Sequence, residues 1–163
     1  MPSFDVVSEV DKQELSNALN QTRKELQIRY DLKQTKSEIQ EDPKQNELLV
    51  VSDNEFTLKQ VTDVLMERMA KRGIPLKNIR LGDVDSGSLG RVKRKVAIQQ
   101  GIPQETAKQI VKRVKESGMK LQGAIQGDKI RISGKKRDDL QEMIAVFRKE
   151  DLGIALQFNN FLD

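Results

Sequence analysis

The stretch KLQGAIQGDKIRISGKKRDDLQEMIAVF, Lys120–Phe147, contains two strands, a helix and the corners that join them. KLQGAIQG and DKIRIS each alternate, and Gly127-Asp128 between them is a hairpin turn. After Ser133 comes Gly134, then Lys135, Lys136 and Arg137, then an apolar spacing of 3 or 4 through Leu140, Met143, Ile144 and Phe147. That spacing predicts a helix from near Lys136 to about Lys149, with Asp138 and Asp139 well placed in its first turn. A hairpin running directly into a helix is the middle of a split βαβ unit.

The flanks complete the unit. Upstream, RVKRKVAIQ, Arg91–Gln99, alternates as a strand. Pro103 then stands at a helix start, Ala107, Ile110, Val111 and Val114 form its stripe, and Gly118 closes it. Downstream, IALQF, Ile154–Phe158, reads as the last strand. The same order occurs earlier in the chain. FDVVS is a strand, and Asp11 with Glu14 caps a helix bearing Leu15, Ala18, Leu19 and Leu26. LQIRYDLK, Leu26–Lys33, alternates strictly, and ELLVVS, Glu47–Ser52, is a second strand. Thr57 with Gln60 opens a helix through Leu58, Val61, Leu65 and Met69 that ends at Gly73, and NIRLGDV follows. The reading is therefore α+β: two ferredoxin-like βαββαβ domains in tandem, each a four-stranded antiparallel sheet with two helices on one face. The expected domains are residues 1–86 and 91–163. GDVDSGSLG, Gly82–Gly90, is read as the linker. In that segment Asp83, Asp85 and Gly87 lack the glutamate and flanking helices of a calcium loop. Gly82 and Gly87 have P-loop spacing, but Ser88 stands where lysine is required.

Composition narrows the chemistry. The chain has 163 residues, no cysteine and no histidine, so disulfides, thiolate chemistry and histidine-assisted catalysis are excluded. No clustered carboxylate set points to a metal, and no cofactor is expected. No apolar run reaches membrane-spanning length, and the N-terminus lacks the pattern of a secretory signal, which together suit a cytoplasmic protein. Charge is uneven. Residues 1–88 carry 13 Lys+Arg and 16 Asp+Glu, whereas residues 89–163 carry 16 and 9. The basic half is expected to face a polyanion.

Alternation then selects side chains. If Val92, Val96 and Ile98 face the helices, Lys93, Lys95 and Gln99 face away; if Ile130 and Ile132 face in, Lys129, Arg131 and Ser133 face out. In a split βαβ unit these are the two central strands, so the cations would share one open surface. Lys120, Gln122, Gln126, Gln157 and Asn159 would border it. Lysine and arginine supply charge to phosphate and the amides supply hydrogen bonds. None of these outward residues is aromatic and no RNP1 pattern is present, so base stacking is not expected there. Phe158 and Phe161 have the spacing of core residues, with base stacking as the alternative. The Gly134–Arg137 corner is either a phosphate cradle or a bend neutralised by Asp138 and Asp139. The expected site comprises Lys93, Lys95, Lys129, Arg131, Lys135, Arg137 and Gln157, with no catalytic residue. ELLVVS, apolar on both faces, is expected to be covered on both.

MPSFDVVSEVD, RYDLK, KRGIP, IQGDKIRISGKKRDDLQ and QFNNF together resemble the YajQ family of bacterial nucleotide-binding proteins. The resemblance spans nearly the whole chain. It implies tandem ferredoxin-like domains, a cytoplasmic location and binding of nucleotides or RNA. Cyclic di-GMP is the nucleotide attributed to the family, and some members are linked to transcriptional control. Leu162 stands where the family often has arginine. The function expected is non-enzymatic binding of RNA or a cyclic dinucleotide. The alternative is a module that uses the same basic surface to meet a protein partner, such as a transcription factor.

Overall fold

The computed structural model describes residues 1–86 and 90–163. In chain order the elements are β1 (Ser3–Val7), α1 (Lys12–Ile28), β2 (Glu38–Asp42), β3 (Glu47–Ser52), α2 (Glu55–Lys71), β4 (Ile79–Asp85), β5 (Val92–Ile98), α3 (Gln104–Glu116), β6 (Leu121–Gln126), β7 (Lys129–Gly134), α4 (Arg137–Lys149) and β8 (Gln157–Leu162), with a 3-10 turn at Leu76–Asn78. Two four-stranded antiparallel sheets result, in the tandem ferredoxin-like α+β arrangement.

Strand order corrects the expected domains. One sheet runs β6-β7-β1-β8 and the other β2-β3-β5-β4. Each has the order of a split βαβ unit, but the first strands are exchanged: β1 completes the C-terminal sheet and β5 the N-terminal one. The compact units are accordingly Val10–Gln99, and Met1–Glu9 with Gln100–Asp163, rather than 1–86 and 91–163. Gly82–Gly90 is thus no link between domains. β4 and β5 are antiparallel neighbours, and Gly82 lies within β4. The middle of that segment, residues 87–89, lies outside the described residues.

Cross-strand charge gives a reason for the exchange. Phe4 and Ile132 pair on the helix side of the sheet, and Asp5 and Arg131 on the other. With β5 in that place, Lys93 and Lys95 would lie beside Arg131 and Lys129, and like charges facing across strands are destabilising. Asp5 supplies the opposite sign. It is 1% exposed and receives Arg131 Nε at 3.0 Å and Asn160 Nδ2 at 3.0 Å, with Lys129 Nζ at 3.5 Å.

Each unit has its own core. Val92, Val96 and Ile98 of β5 join Leu48 and Val50 of β3 beneath Leu19 and Leu26 of α1 and Leu58, Val61 and Leu65 of α2. Phe4 and Val6 join Ile130 and Ile132 beneath Ile110 and Val114 of α3 and Leu140, Met143 and Phe147 of α4. Asp11 caps α1 by accepting from the amides of Gln13 and Glu14. Asn54, three residues before the expected Thr57, caps α2.

Three other expectations change. LQIRYDLK is not a strand: α1 continues to Ile28, a turn follows, and the strand is Glu38–Asp42. Leu26 is the last buried residue of the helical stripe, so the strict alternation from Leu26 is the accidental end of a period of 3.6. In β3, Leu48 and Val50 are buried but Leu49 and Val51 only half-buried. Their cross-strand neighbours are Lys95 and Lys93, whose aliphatic stems are long enough to shield them.

The last strand lies later than expected, and it carries a bulge. Register against β1 runs Val6↔Phe158, Asp5↔Asn159 and then Ser3↔Leu162, which inserts one extra residue into β8. Asn160 takes that place at φ 54°, a left-handed conformation that asparagine tolerates. Without the bulge, Phe158 and Phe161 would point to opposite faces. With it, both meet Phe4, each with ring centroids 5.9 Å away. Replacing Asn160→Val puts a β-branched residue in this conformation and removes a hydrogen bond to Asp5. We expect a loss of about 2 kcal/mol in urea unfolding, and less for Asn160→Gly, which keeps the backbone free.

Candidate functional site

The expected site residues divide between the units. Lys93 and Lys95 lie on β5 and point away from the helices of Val10–Gln99, as alternation requires. Lys129, Arg131, Lys135, Arg137 and Gln157 belong to the other unit. β5 and β7, expected to be adjacent central strands, belong to two different sheets and are not neighbours. The charge asymmetry goes with that expectation. The observed units carry 17 Lys+Arg against 14 Asp+Glu, and 12 against 11.

Several of these side chains are already occupied. Arg131 and Lys129 are bound to Asp5. Gln157 holds the chain end of β1: its Nε2 donates to the carbonyl of Glu9 at 3.0 Å and its Oε1 accepts from the Glu9 amide at 3.1 Å. Arg137 is ion-paired with Asp163. Lys95 is exposed, but the depression it borders is also lined by Glu41, Asp42 and Glu47, which weaken its pull on an anion.

The corner after β7 is different. It opens a depression of about 420 Å³ lined by Lys120, Lys135 and Lys136 together with Gln122, Ser133 and Asp139. Three lysines and one aspartate line it, and among the described residues none of the three lysines is in an ion pair. The floor is Leu121 and Gly134, which pair across β6 and β7. A Cβ on Gly134 would lie 2.4 Å from Leu121 Cδ2 and 3.1 Å from the Lys120 carbonyl, so glycine keeps this end of the hairpin close. The amide of Gly134 also donates to the Pro2 carbonyl at 3.1 Å, which ties the start of β1 to the corner.

Lys120 and Gln122 were expected at the border of the surface, Ser133 on its outward face and Lys136 in the Gly134–Arg137 corner, but none of the four was among the expected site residues, although the signal that joins them was present. Register across the Gly127-Asp128 turn is regular from Gln126↔Lys129 to Leu121↔Gly134. One step further places Lys120 opposite Lys135. Counting back from a two-residue turn would have brought the first and last cations of the hairpin together.

The fold and this corner define a class: a small α+β binding module with a cationic, hydrogen-bonding depression at the end of a sheet. The chain belongs to the YajQ-like nucleotide-binding protein family, whose description matches residues 2–162. A nucleotide-binding protein of Heliobacterium modesticaldum is 52% identical over 159 residues, covering 98% of this chain and 96% of the relative. One from Thioalkalivibrio sulfidiphilus is 50% identical over 163 residues, with both chains covered completely. The cyclic di-GMP-binding protein of Xanthomonas campestris pv. campestris is 47% identical over 164 residues, again covering both chains completely. These relatives are named for binding, not for a reaction. No helix among the described residues is long and apolar enough to cross a membrane.

Proposed function

We propose that this protein binds a nucleotide without transforming it, and that the phosphates lie in the depression at the β7–α4 corner. The observation that carries this reading is the convergence of Lys120, Lys135 and Lys136, none ion-paired among the described residues, around a concave surface with amide and hydroxyl neighbours. Lysines neutralise phosphate, and Gln122 and Ser133 supply directional hydrogen bonds. A volume of about 420 Å³ falls within the range of small-molecule sites. The relative from Xanthomonas makes cyclic di-GMP the first ligand to test.

The bend between β7 and α4 keeps its positive charge in this reading. Asp138 does not line the depression, and Asp139 is the one acidic side chain that does. The remaining expected residues take other parts. Lys129, Arg131 and Gln157 hold β1, and Arg137 stands next to the depression.

Calorimetric titration with cyclic di-GMP tests the proposal. Replacing Lys120, Lys135 and Lys136 together with glutamine is expected to weaken binding at least about tenfold, with melting nearly unchanged because exposed charges add little to folding. Unchanged affinity in the triple variant would remove the corner from consideration. Single-stranded RNA is the competing ligand. Its affinity would fall with salt by a log–log slope of about 0.7 for each phosphate neutralised.

A further inference from the structure

We propose that Phe161 is a platform on which the nucleobase stacks, placed beside the lysine-lined depression so that one ligand spans both. This rests on the reading that phosphates occupy the corner, and adds the part of the ligand that lysines cannot recognise.

Phe161 is 58% exposed, an uncommon position for a phenylalanine whose neighbours are core residues. Its ring stacks on Phe4, at 5.9 Å between centroids and 28° between planes. Phe4 is fully buried and meets Phe158 edge-on, and Phe158 in turn stacks on Phe147. Phe161 is thus the outermost member of a four-ring array anchored in the core. A ring held this way loses little conformational freedom when a second aromatic surface lies on it. The bulge at Asn160 is what turns it to that side.

The surroundings suit a base. Phe161 lines a depression of about 180 Å³ whose other walls include Ser3, Arg137, Leu140 and Gln141. Leucine supplies apolar contact, while serine, glutamine and arginine offer donors and acceptors for a base edge. The two depressions meet at the start of the chain and at the start of α4. Met1 lines the lysine depression and Pro2 the aromatic one, and Lys136 and Arg137 do the same in turn. Consecutive residues are about 3.8 Å apart, so the two depressions are neighbours on the scale of one nucleotide. Asp163, bound to Arg137, lies on the rim of the aromatic depression, where a ligand phosphate or base carbonyl would compete for the guanidinium.

The experiment compares GDP with inorganic pyrophosphate on the full chain and on Phe161→Ala. Stacking predicts that GDP binds the unaltered protein more tightly than pyrophosphate does. Phe161→Ala should lower GDP affinity about five- to hundredfold and leave pyrophosphate affinity unchanged. The chain has no tryptophan, so Phe161→Trp introduces a single indole whose emission should be quenched by GDP and not by pyrophosphate. Equal affinity of GDP and pyrophosphate for the unaltered protein would overturn the platform while leaving the phosphate site standing. So would an equal loss of both in Phe161→Ala, which would show a structural role. Failure of both ligands to bind the unaltered protein would instead overturn the phosphate site itself.

Discussion

A fragment comprising residues 10–99 is expected to unfold in one cooperative transition, and a fragment of residues 1–86 to remain unfolded. The first contains the whole sheet β2-β3-β5-β4, both covering helices and every residue of their core, Val10 to Ile98. The second ends before β5. β3 and β4 then lose the strand that lies between them, and Val92, Val96 and Ile98 leave the core. Burial of three such side chains contributes about 5–9 kcal/mol, comparable with the whole stability of a small domain. β1 stays in the shorter fragment but has neither β7 nor β8 to pair with, so Phe4 and Val6 are left in water. Circular dichroism with urea titration decides between the outcomes. Cooperative melting of residues 1–86 with native strand content would show that β5 is dispensable and the exchange unimportant.

The second large effect lies in one carboxylate. Burial pushes the pKa of Asp5 upward, but hydrogen bonds from Arg131 and Asn160 and the charges of Arg131 and Lys129 outweigh it. The carboxyl is held below the usual carboxylate range. Asp5→Ala would leave Arg131 without its partner on the central strand of a sheet. Removing one member of a buried pair costs about 3–5 kcal/mol. Arg131 and Lys129 are partly exposed and regain water, so we expect about 2 kcal/mol here. The pH dependence has a definite sign. A carboxyl whose pKa is lower in the folded state stabilises the fold above its unfolded pKa, near 3.8, and loses that contribution as pH falls through the folded pKa. The difference in unfolding free energy between the unaltered protein and Asp5→Asn should therefore be constant near neutrality and shrink below about pH 4. A difference independent of pH down to acid unfolding would show that the charge of Asp5 carries no weight.

These two results concern the same strand, and it is the strand whose place sequence reasoning misjudged. Alternation correctly assigned inward and outward residues on β5 and β7 and the outward Gln122 and Gln126 on β6. Lys93, Lys95, Lys129 and Arg131 all point away from the helices as spacing requires. The error lay in which strands are neighbours. Gathering those four cations on adjacent strands looked like a ligand surface. The folded chain puts them in two different sheets and sets Asp5 between the strand bearing two of them and β8. The corner was legible as charge and turn chemistry, but its composition was not. Lys120 is fifteen residues from Lys135 in the chain and reaches it only through the hairpin register. Phe161 was named as a core residue with base stacking as the alternative, but the face it takes was hidden for a similar reason: a period of two cannot anticipate one extra residue at Asn160.

Local chemistry is short-ranged, and the sequence alone determined much that depends on it: the order of helices and strands, the Asp11 cap and the Gly127-Asp128 turn, the faces that the residues of β5 and β7 take, and the family. Which first strand enters which sheet was left to the tertiary structure. Backbone ladders accept either strand equally, since amides and carbonyls are the same in both. The choice falls to side chains brought together from opposite ends of the chain, Asp5 with Arg131 and Phe4 with Phe161, and to the opposite charge that makes one pairing cheaper than the other.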